Sequence, residues 1–272
     1  MATVGAVGAH IGVIKALKAD PTMSGLRRSL EAYYGDPARD AAMDAFYARF
    51  VRPGDLVFDV GAHVGDRLGS FRRLGARVVA VEPQPLCVRA LRALYGDDDR
   101  VIVVEAACGA HEDRVRLHVN SANPTISTAS PQFVRAAAGA GGWAHETWDA
   151  EIEVATTTLD RLIAAHGVPA FVKIDVEGFE DVVLAGLNQP LPALSFEFTT
   201  IARELAPRCL DRLTGLGFTR FSVALGDEMG LALPDWLPAA EVAAYLWALP
   251  HEANSGDVYC VSEDHRRRRG TP

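Results

Sequence analysis

Three short stretches of this chain carry residue types that could do chemistry together. The first is Asp59-Val60-Gly61-Ala62-His63-Val64-Gly65. It follows an apolar run and precedes a helical pattern, and its glycines let the backbone turn sharply and approach a ligand closely. Its Gly-x-x-x-Gly spacing is not the Gly-x-Gly-x-x-Gly of dinucleotide sites. A carboxylate at the strand tip, Asp59, repels a pyrophosphate but suits a cation. The plain alternative is a strand–turn–helix loop with no ligand. The second is Glu82, about 20 residues beyond Gly61 at the end of Val78-Val79-Ala80-Val81, where an acid can accept hydrogen bonds from both hydroxyls of a ribose. The third is Lys173-Ile174-Asp175-Val176-Glu177-Gly178-Phe179-Glu180. Side chains alternate along a strand, so Lys173 and Asp175 share one face and Glu177 follows at its end. Charges on one face of a buried strand are costly unless paired or used. The alternative use is a structural Lys–carboxylate pair that orients loops. Glu177 and Glu180 also read as an ordinary acidic helix start.

These stretches need a scaffold that brings strand ends together. Leu56–Val60, Val78–Val81 and Val101–Val104 are short apolar runs, separated by helical patterns through Leu68–Leu74 and Leu86–Tyr95. Strand, helix, strand with short loops predicts βαβ units and a parallel sheet wound on both faces. In such sheets ligands bind at the carboxyl ends of the strands. Further strands are expected at Val115–Val119, Val154–Thr158, Phe171–Val176, Ala193–Phe198, Phe218–Val223 and Asp257–Val261, with helices at Leu159–His166, from Glu177 through Leu184, and at Leu205–Leu216. Residues 1–50 read as helical, a cap or lid on the main domain. The Ala136–Gly142 stretch reads as small and flexible.

Composition narrows the classes. The chain has 272 residues, 27 Lys plus Arg against 35 Asp plus Glu, and a net charge of −8, which argues against a general nucleic-acid binder. At 49% hydrophobic and 23% charged it is ordinary globular material. Cys87, Cys108, Cys209 and Cys260 are far apart, without a C-x-x-C pair, and read as buried thiols of a reducing compartment. No apolar run reaches the roughly 18 residues of a membrane span. Lys15 follows rather than precedes the apolar start, unlike a secretory signal. The expectation is a soluble cytoplasmic protein. Arg266–Arg269 read as a frayed tail.

Phe58-Asp59-Val60-Gly61-Ala62-His63-Val64-Gly65, Glu82-Pro83, Ala107, Thr158-Leu159-Asp160 and Lys173–Glu180, in this order, resemble the FkbM-type family of S-adenosylmethionine-dependent methyltransferases. The resemblance covers roughly residues 50–262. His63 stands where Asn is more usual. It implies a doubly wound, Rossmann-like α/β fold whose seven-stranded sheet is mostly parallel with a reversed last strand. The organisation that follows is a helical extension over 1–50, a methyltransferase domain over 51–265 and a basic tail over 266–272. The cofactor implied is S-adenosylmethionine, with Asp59, Gly61 and Gly65 at its methionine end, Glu82 on the ribose, Ala107 beside the adenine and Asp175 near the sulfonium; His63 is counted with this set. The acceptor implied is a hydroxyl on a sugar, glycan or other natural product. Its proton needs a base, for which Asp175, Glu177 and, third, Glu197 are the candidates. The same three carboxylates could hold Mg²⁺, but the preferred reading has no metal. Two alternatives stand beside it, an NAD-linked oxidoreductase and a non-catalytic nucleoside-binding module. Trp143, His145 and Trp148 are either an acceptor-binding loop or a hydrophobic plug. Asn123–Ser130 and Trp236–Trp247 are further lid candidates.

Overall fold

The computed structural model describes residues 4–263 and 265; the Arg266–Arg269 tail expected from the sequence lies outside them. In chain order, three helices come first: α1 (Val4–Ala19), α2 (Arg27–Tyr33) and α3 (Pro37–Tyr47). The core then alternates as β1 (Leu56–Val60), α4 (Asp66–Arg73), β2 (Arg77–Val81), α5 (Pro85–Tyr95) and β3 (Val101–Val104). A less regular middle holds β4 (Ala107–Cys108), β5 (Arg114–Val119), α6 (Pro131–Ala138) and β6 (Ala150–Thr157). The second half runs α7 (Leu159–His166), β7 (Phe171–Ile174), α8 (Glu180–Ala185), β8 (Ala193–Thr199), α9 (Leu205–Gly215), β9 (Phe218–Leu225), α10 (Ala239–Ala248) and β10 (Ser255–Ser262).

Seven strands form one sheet in the order β3-β2-β1-β7-β8-β10-β9. The pairs β1–β2, β1–β7, β2–β3 and β7–β8 are parallel, whereas β10 is antiparallel to both neighbours. The expected doubly wound sheet with a reversed last strand is thus the fold, and the winding reverses between β1 and β7, where ligands bind in such sheets.

Alternation along the strands sorts the core into two layers. Phe58, Val60, Val172 and Ile174 pack with Leu159 and Leu162 of α7, Val183 and Leu184 of α8, and Leu205, Cys209 and Leu213 of α9. Val57, Val78, Ala80 and Phe171 face the other way, onto Leu68 and Phe71 of α4, Leu91 and Leu94 of α5, and Met43, Phe46 and Tyr47 of α3. Helix α3 therefore forms part of the second layer. Pro37 at its first position and the Asp36 carboxylate, which accepts from Ala38 N and Arg39 N, fix its start.

Three local expectations change. β7 ends at Ile174, so Asp175 and Val176 hang beyond the strand, and α8 starts at Glu180 rather than Glu177. Glu177 (φ 56°) and Gly178 (φ 88°) are left-handed. Glu180, fully buried, explains the turn: its carboxylate accepts from Val176 N at 3.0 Å and Gly178 N at 3.1 Å, a strong charge-assisted pairing. It is a loop-holding residue, not a surface helix-start acid. The stretch read as flexible begins with the last three residues of α6, Ala136, Ala137 and Ala138, which are strong helix formers, and the start of the helix is capped by Ser130, whose Oγ accepts from Phe133 N at 3.1 Å. Strands β4, β5 and β6 form a second sheet in the order β4-β6-β5. All four cysteines are free and buried. Among the described residues, no helix is long and apolar enough to cross a membrane.

Candidate active site

The tips of β1, β2 and β7 are knitted together by backbone. Gly61 N and Ala62 N donate to Val81 O at 2.9 and 3.1 Å, and Asp175 N donates to Val60 O at 2.9 Å. Gly61 has φ +83°, and a Cβ there would overlap the Asp175 carbonyl, so only glycine allows this approach. Gly65 serves the turn differently. Its side-chain direction is filled by Tyr95 and Leu91, and it lies outside the linings of both cavities described below.

Two acids sit at neighbouring tips, each 2% exposed. The Glu82 carboxylate accepts from His63 N through Oε2 and from Gln84 N through Oε1, both at 2.8 Å. Burial nonetheless pushes it up to about 7. Asp59 is also raised to about 7 by burial, and its Oδ2 has no hydrogen-bond partner. An orphaned buried carboxylate oxygen is costly and asks for a donor from outside the chain. His63, at φ 48°, has a buried, unpartnered Nε2. Burial pushes its imidazole down to about 4, so it is neutral at pH 7.

Lys173 anchors the third stretch. It is 1% exposed and donates to Asp175 Oδ2 at 2.8 Å and Asp257 Oδ1 at 2.9 Å. Burial disfavours its charge, but the two carboxylates hold its pKa well above the usual lysine value. Asp175, 36% exposed at its side chain, feels burial in one direction and Lys173 in the other, and Lys173 prevails, keeping it below the usual carboxylate range. Glu197 lies across from Asp257 in the β8–β10 ladder and hydrogen-bonds to Asp175. Burial and the neighbouring carboxylates raise Glu177 and Glu197 well above the usual glutamate value. Oxygens of Asp175, Glu177 and Glu197 lie within 4.8 Å of one another. One acid pushed down and two pushed up share this corner.

These groups line two adjoining cavities. The larger, about 330 Å³, takes in Asp59, Lys173, Asp175, Glu177, Glu197 and Asp257, with Tyr33 from α2. A narrower slot runs past Glu82, Ala106, Ala107, Leu117 and Phe179. Both are lined by Gly61, His63, Thr125, Asp175 and Glu177. The three non-glycine residues with positive φ among those described, His63, Glu177 and Asn254, all line the larger cavity. Strained backbone gathers at functional sites.

The sequence-expected residues therefore converge, Gly65 excepted. Asp257, Arg67, Asp227, Asn254 and Tyr33 were not anticipated. Arg67 donates to Asp66 at 2.6 Å and Asp227 at 2.7 Å, and Arg39 of α3 pairs with Asp66 at 2.6 Å, so alternating charges cross one wall of the cavity. For Asp257 the only hint was that a buried Lys173 needs more than one carboxylate, which does not say which acid supplies it. Tyr33 and Asn254 carried none. Of the aromatic trio, Trp148 donates to Ile126 O at 3.0 Å as an anchor, His145 is exposed, and Trp143 lines a third, outer cleft.

The family described as the methyltransferase FkbM domain matches residues 59–218, which takes in every expected site residue and leaves Asn254 and Asp257 outside. A curated relative, the 31-O-demethyl-FK506 methyltransferase FkbM of Streptomyces tacrolimicus, is 31% identical over 174 residues, 55% of this chain and 67% of its own. Among solved structures, a precorrin-6y C5,15-methyltransferase from Geobacter metallireducens aligns with a TM-score of 0.42 and 9% identity, covering 85% of this chain and 91% of its own. A TehB-like SAM-dependent methyltransferase from Corynebacterium glutamicum gives 0.43 and 10%, covering 87% and 94%. Likeness at that distance carries no chemistry, and the sheet order rests on this chain's own strand pairing. The family match spans more than half of the chain: this protein belongs to the FkbM family of methyltransferases.

Proposed function

We propose that the chain is an S-adenosylmethionine-dependent O-methyltransferase acting on a hydroxyl of a sugar, glycan or other natural product. The observation that carries this is the orphaned Asp59 oxygen beside the Glu82 tip. The residues present fit the cofactor. Asp59 offers a buried carboxylate to an ammonium, Glu82 keeps lone pairs for the two ribose hydroxyls, and Ala106, Ala107, Leu117 and Phe179 form a small, apolar slot for a purine. A sulfonium would sit near the acidic corner of Asp175. His63, neutral, adds no opposing charge.

Bound there, the cofactor supplies a methyl group already activated on positively charged sulfur. What remains for the chain is to orient the acceptor oxygen and take its proton. Asp175 is the acid of the trio kept ionised, because Lys173 holds it so, and it accepts that proton. Glu197 and Glu177, both raised by burial and by their carboxylate neighbours, hydrogen-bond and orient the acceptor. A second reading has one observation in its favour: three oxygens within 4.8 Å suit a hard divalent cation. Unchanged turnover after exhaustive chelation keeps the proton-transfer reading; turnover restored only by Mg²⁺ replaces it.

Titration calorimetry with adenosylhomocysteine and with NAD tests the assignment. Binding of the first and not the second is expected. NAD binding alone, or density for packed side chains in the crevice of adenosylhomocysteine-soaked crystals, would sink it.

A further inference from the structure

A third cleft, about 680 Å³, opens beside the reaction cavity and is lined by Asn123, Trp143, Glu146, His251, Glu252 and Asn254 among others. Asn254 lines both spaces. We infer that this cleft is the acceptor subsite, and that its occupant is a neutral, saturated, polyhydroxylated ring stacked on Trp143. The inference rests on the methyl-transfer reading above and specifies the acceptor's class.

The cleft is built, not incidental. The Trp143 indole donates its N–H to Asn254 Oδ1 at 3.3 Å and stands perpendicular to Phe133 at 5.5 Å between ring centres. Phe133 in turn packs against Gly178, where a Cβ would overlap its ring. Trp143 is therefore linked through one side chain to the turn that carries Glu177. Glu146 is fixed by Asn120 Nδ2 at 2.7 Å and Asn123 Nδ2 at 3.1 Å. His251 Nε2 meets Gly141 O at 3.0 Å, tying down the glycines before Trp143. Asn254, held at φ 60° and ψ −78°, has its carbonyl oxygen pinned by Thr200 N at 2.7 Å and Thr199 Oγ1 at 3.2 Å. Strain kept in place by surrounding bonds, at the junction of two cavities, is the kind that positions a ligand.

The lining selects by chemistry. An aromatic face attracts the partly positive C–H edges of a saturated ring. Two carboxylates, Glu146 and Glu252, and two amides, Asn123 and Asn254, in the lining can hydrogen-bond hydroxyls. The same two carboxylates, with no lysine or arginine in the lining, repel phosphorylated or carboxylated ligands. A ring lying on Trp143 and passing Asn254 brings one hydroxyl toward Asp175 and Glu197.

Saturation-transfer NMR on the protein loaded with adenosylhomocysteine tests this. The probes are methyl glycosides of neutral hexoses and 6-deoxyhexoses, with phenol and glucose 6-phosphate as controls. At least one glycoside is expected to receive saturation on its ring C–H protons, and neither control to do so. Trp143→Ala should weaken that glycoside about tenfold and Trp143→Phe less than about threefold, with adenosylhomocysteine affinity the same in all three proteins. With labelled methyl donor, Trp143→Ala should raise KM more than it lowers kcat. Adenosylhomocysteine binding without any glycoside signal, a preference for either control, or equal glycoside affinity in Trp143→Ala overturns the inference and leaves the methyltransferase reading standing. No adenosylhomocysteine binding at all overturns both.

Discussion

The two halves of this crevice are built in opposite ways. On the proposed cofactor side, Asp59, Gly61 and Glu82 sit at the tips of adjacent parallel strands, and backbone N–H groups of the same turns hold the Glu82 carboxylate. On the proposed acceptor side, Tyr33, Asp175, Glu197, Asn254 and Asp257 come from elements scattered over the chain, and the side chain of Lys173 ties Asp175 to Asp257. A backbone-built half tolerates little change of geometry but much change of neighbours; a side-chain-built half can be re-tuned one residue at a time. That division also says where substitutions should hurt chemistry, stability or affinity separately.

The largest effect belongs to the acceptor half. Asp175→Asn keeps shape and removes the base, so kcat should fall about 10²–10⁴-fold while adenosylhomocysteine affinity stays within about threefold. Full turnover would end the role of Asp175, and lost cofactor affinity would merge the two halves. Next comes Lys173→Met. It leaves Asp175 and Asp257 without their shared cation, and stripping one member from a buried ion pair costs about 3–5 kcal/mol. Urea denaturation should report that loss. A change below about 1 kcal/mol would mean the two acids are paired elsewhere.

The same division decided what the sequence could disclose. Strand tips carrying contiguous motifs were readable: Asp59, Glu82 and the shared face of Lys173 and Asp175 followed from alternation and charge alone. The two-sided sheet was readable too, because apolar strand runs and helical patterns alternate with short loops over residues 56–104. The pairing of Lys173 with Asp257 was not readable, since it depends on β10 threading between β8 and β9, and nothing in residues 255–262 states that position. Glu177 and Gly178 looked like a helix start because Glu177 and Glu180, three residues apart, favour one; the left-handed turn won because Glu180 is drawn under it by two backbone N–H groups. Gly65 looked like a ligand contact because glycine permits close approach, and here the approach is to Tyr95. The last turn of helix α6 runs into the Ala/Gly stretch over residues 136–142, whose alanines favour helix and whose glycines do not.

Smaller effects probe the cofactor half. Glu82→Ala removes both backbone-anchored oxygens and their ligand contacts. It should weaken adenosylhomocysteine by about 1–3 kcal/mol, the cost of lost hydrogen bonds to a buried group, and should leave the KM for the acceptor unchanged. Equal affinity in calorimetry would remove Glu82 from the site, and a raised acceptor KM would show the two halves to be coupled through His63, whose N–H Glu82 holds.

The finest distinction is in pH. Burial raises Asp59 and Glu82 to about 7, while in the unfolded chain both ionise near 4. Without cofactor, then, the contribution of these acids to stability is fully present below about pH 4, declines as pH rises toward 7 and is flat above it. Cofactor affinity runs the other way. An ammonium pairs only with ionised Asp59, so adenosylhomocysteine should bind more tightly as pH climbs, by up to about tenfold per unit for each group, and level off above about 7. The acidic corner should not share this profile, because Lys173 already keeps Asp175 ionised. Calorimetry from pH 5.5 to 8.5 gives the slope, and Asp59→Asn should flatten it in part, with Glu82 supplying the remainder. An affinity independent of pH in the native protein would mean that Asp59 is ionised and satisfied before the ligand arrives, and the contrast between a hungry cofactor pocket and a self-paired acceptor pocket would be lost.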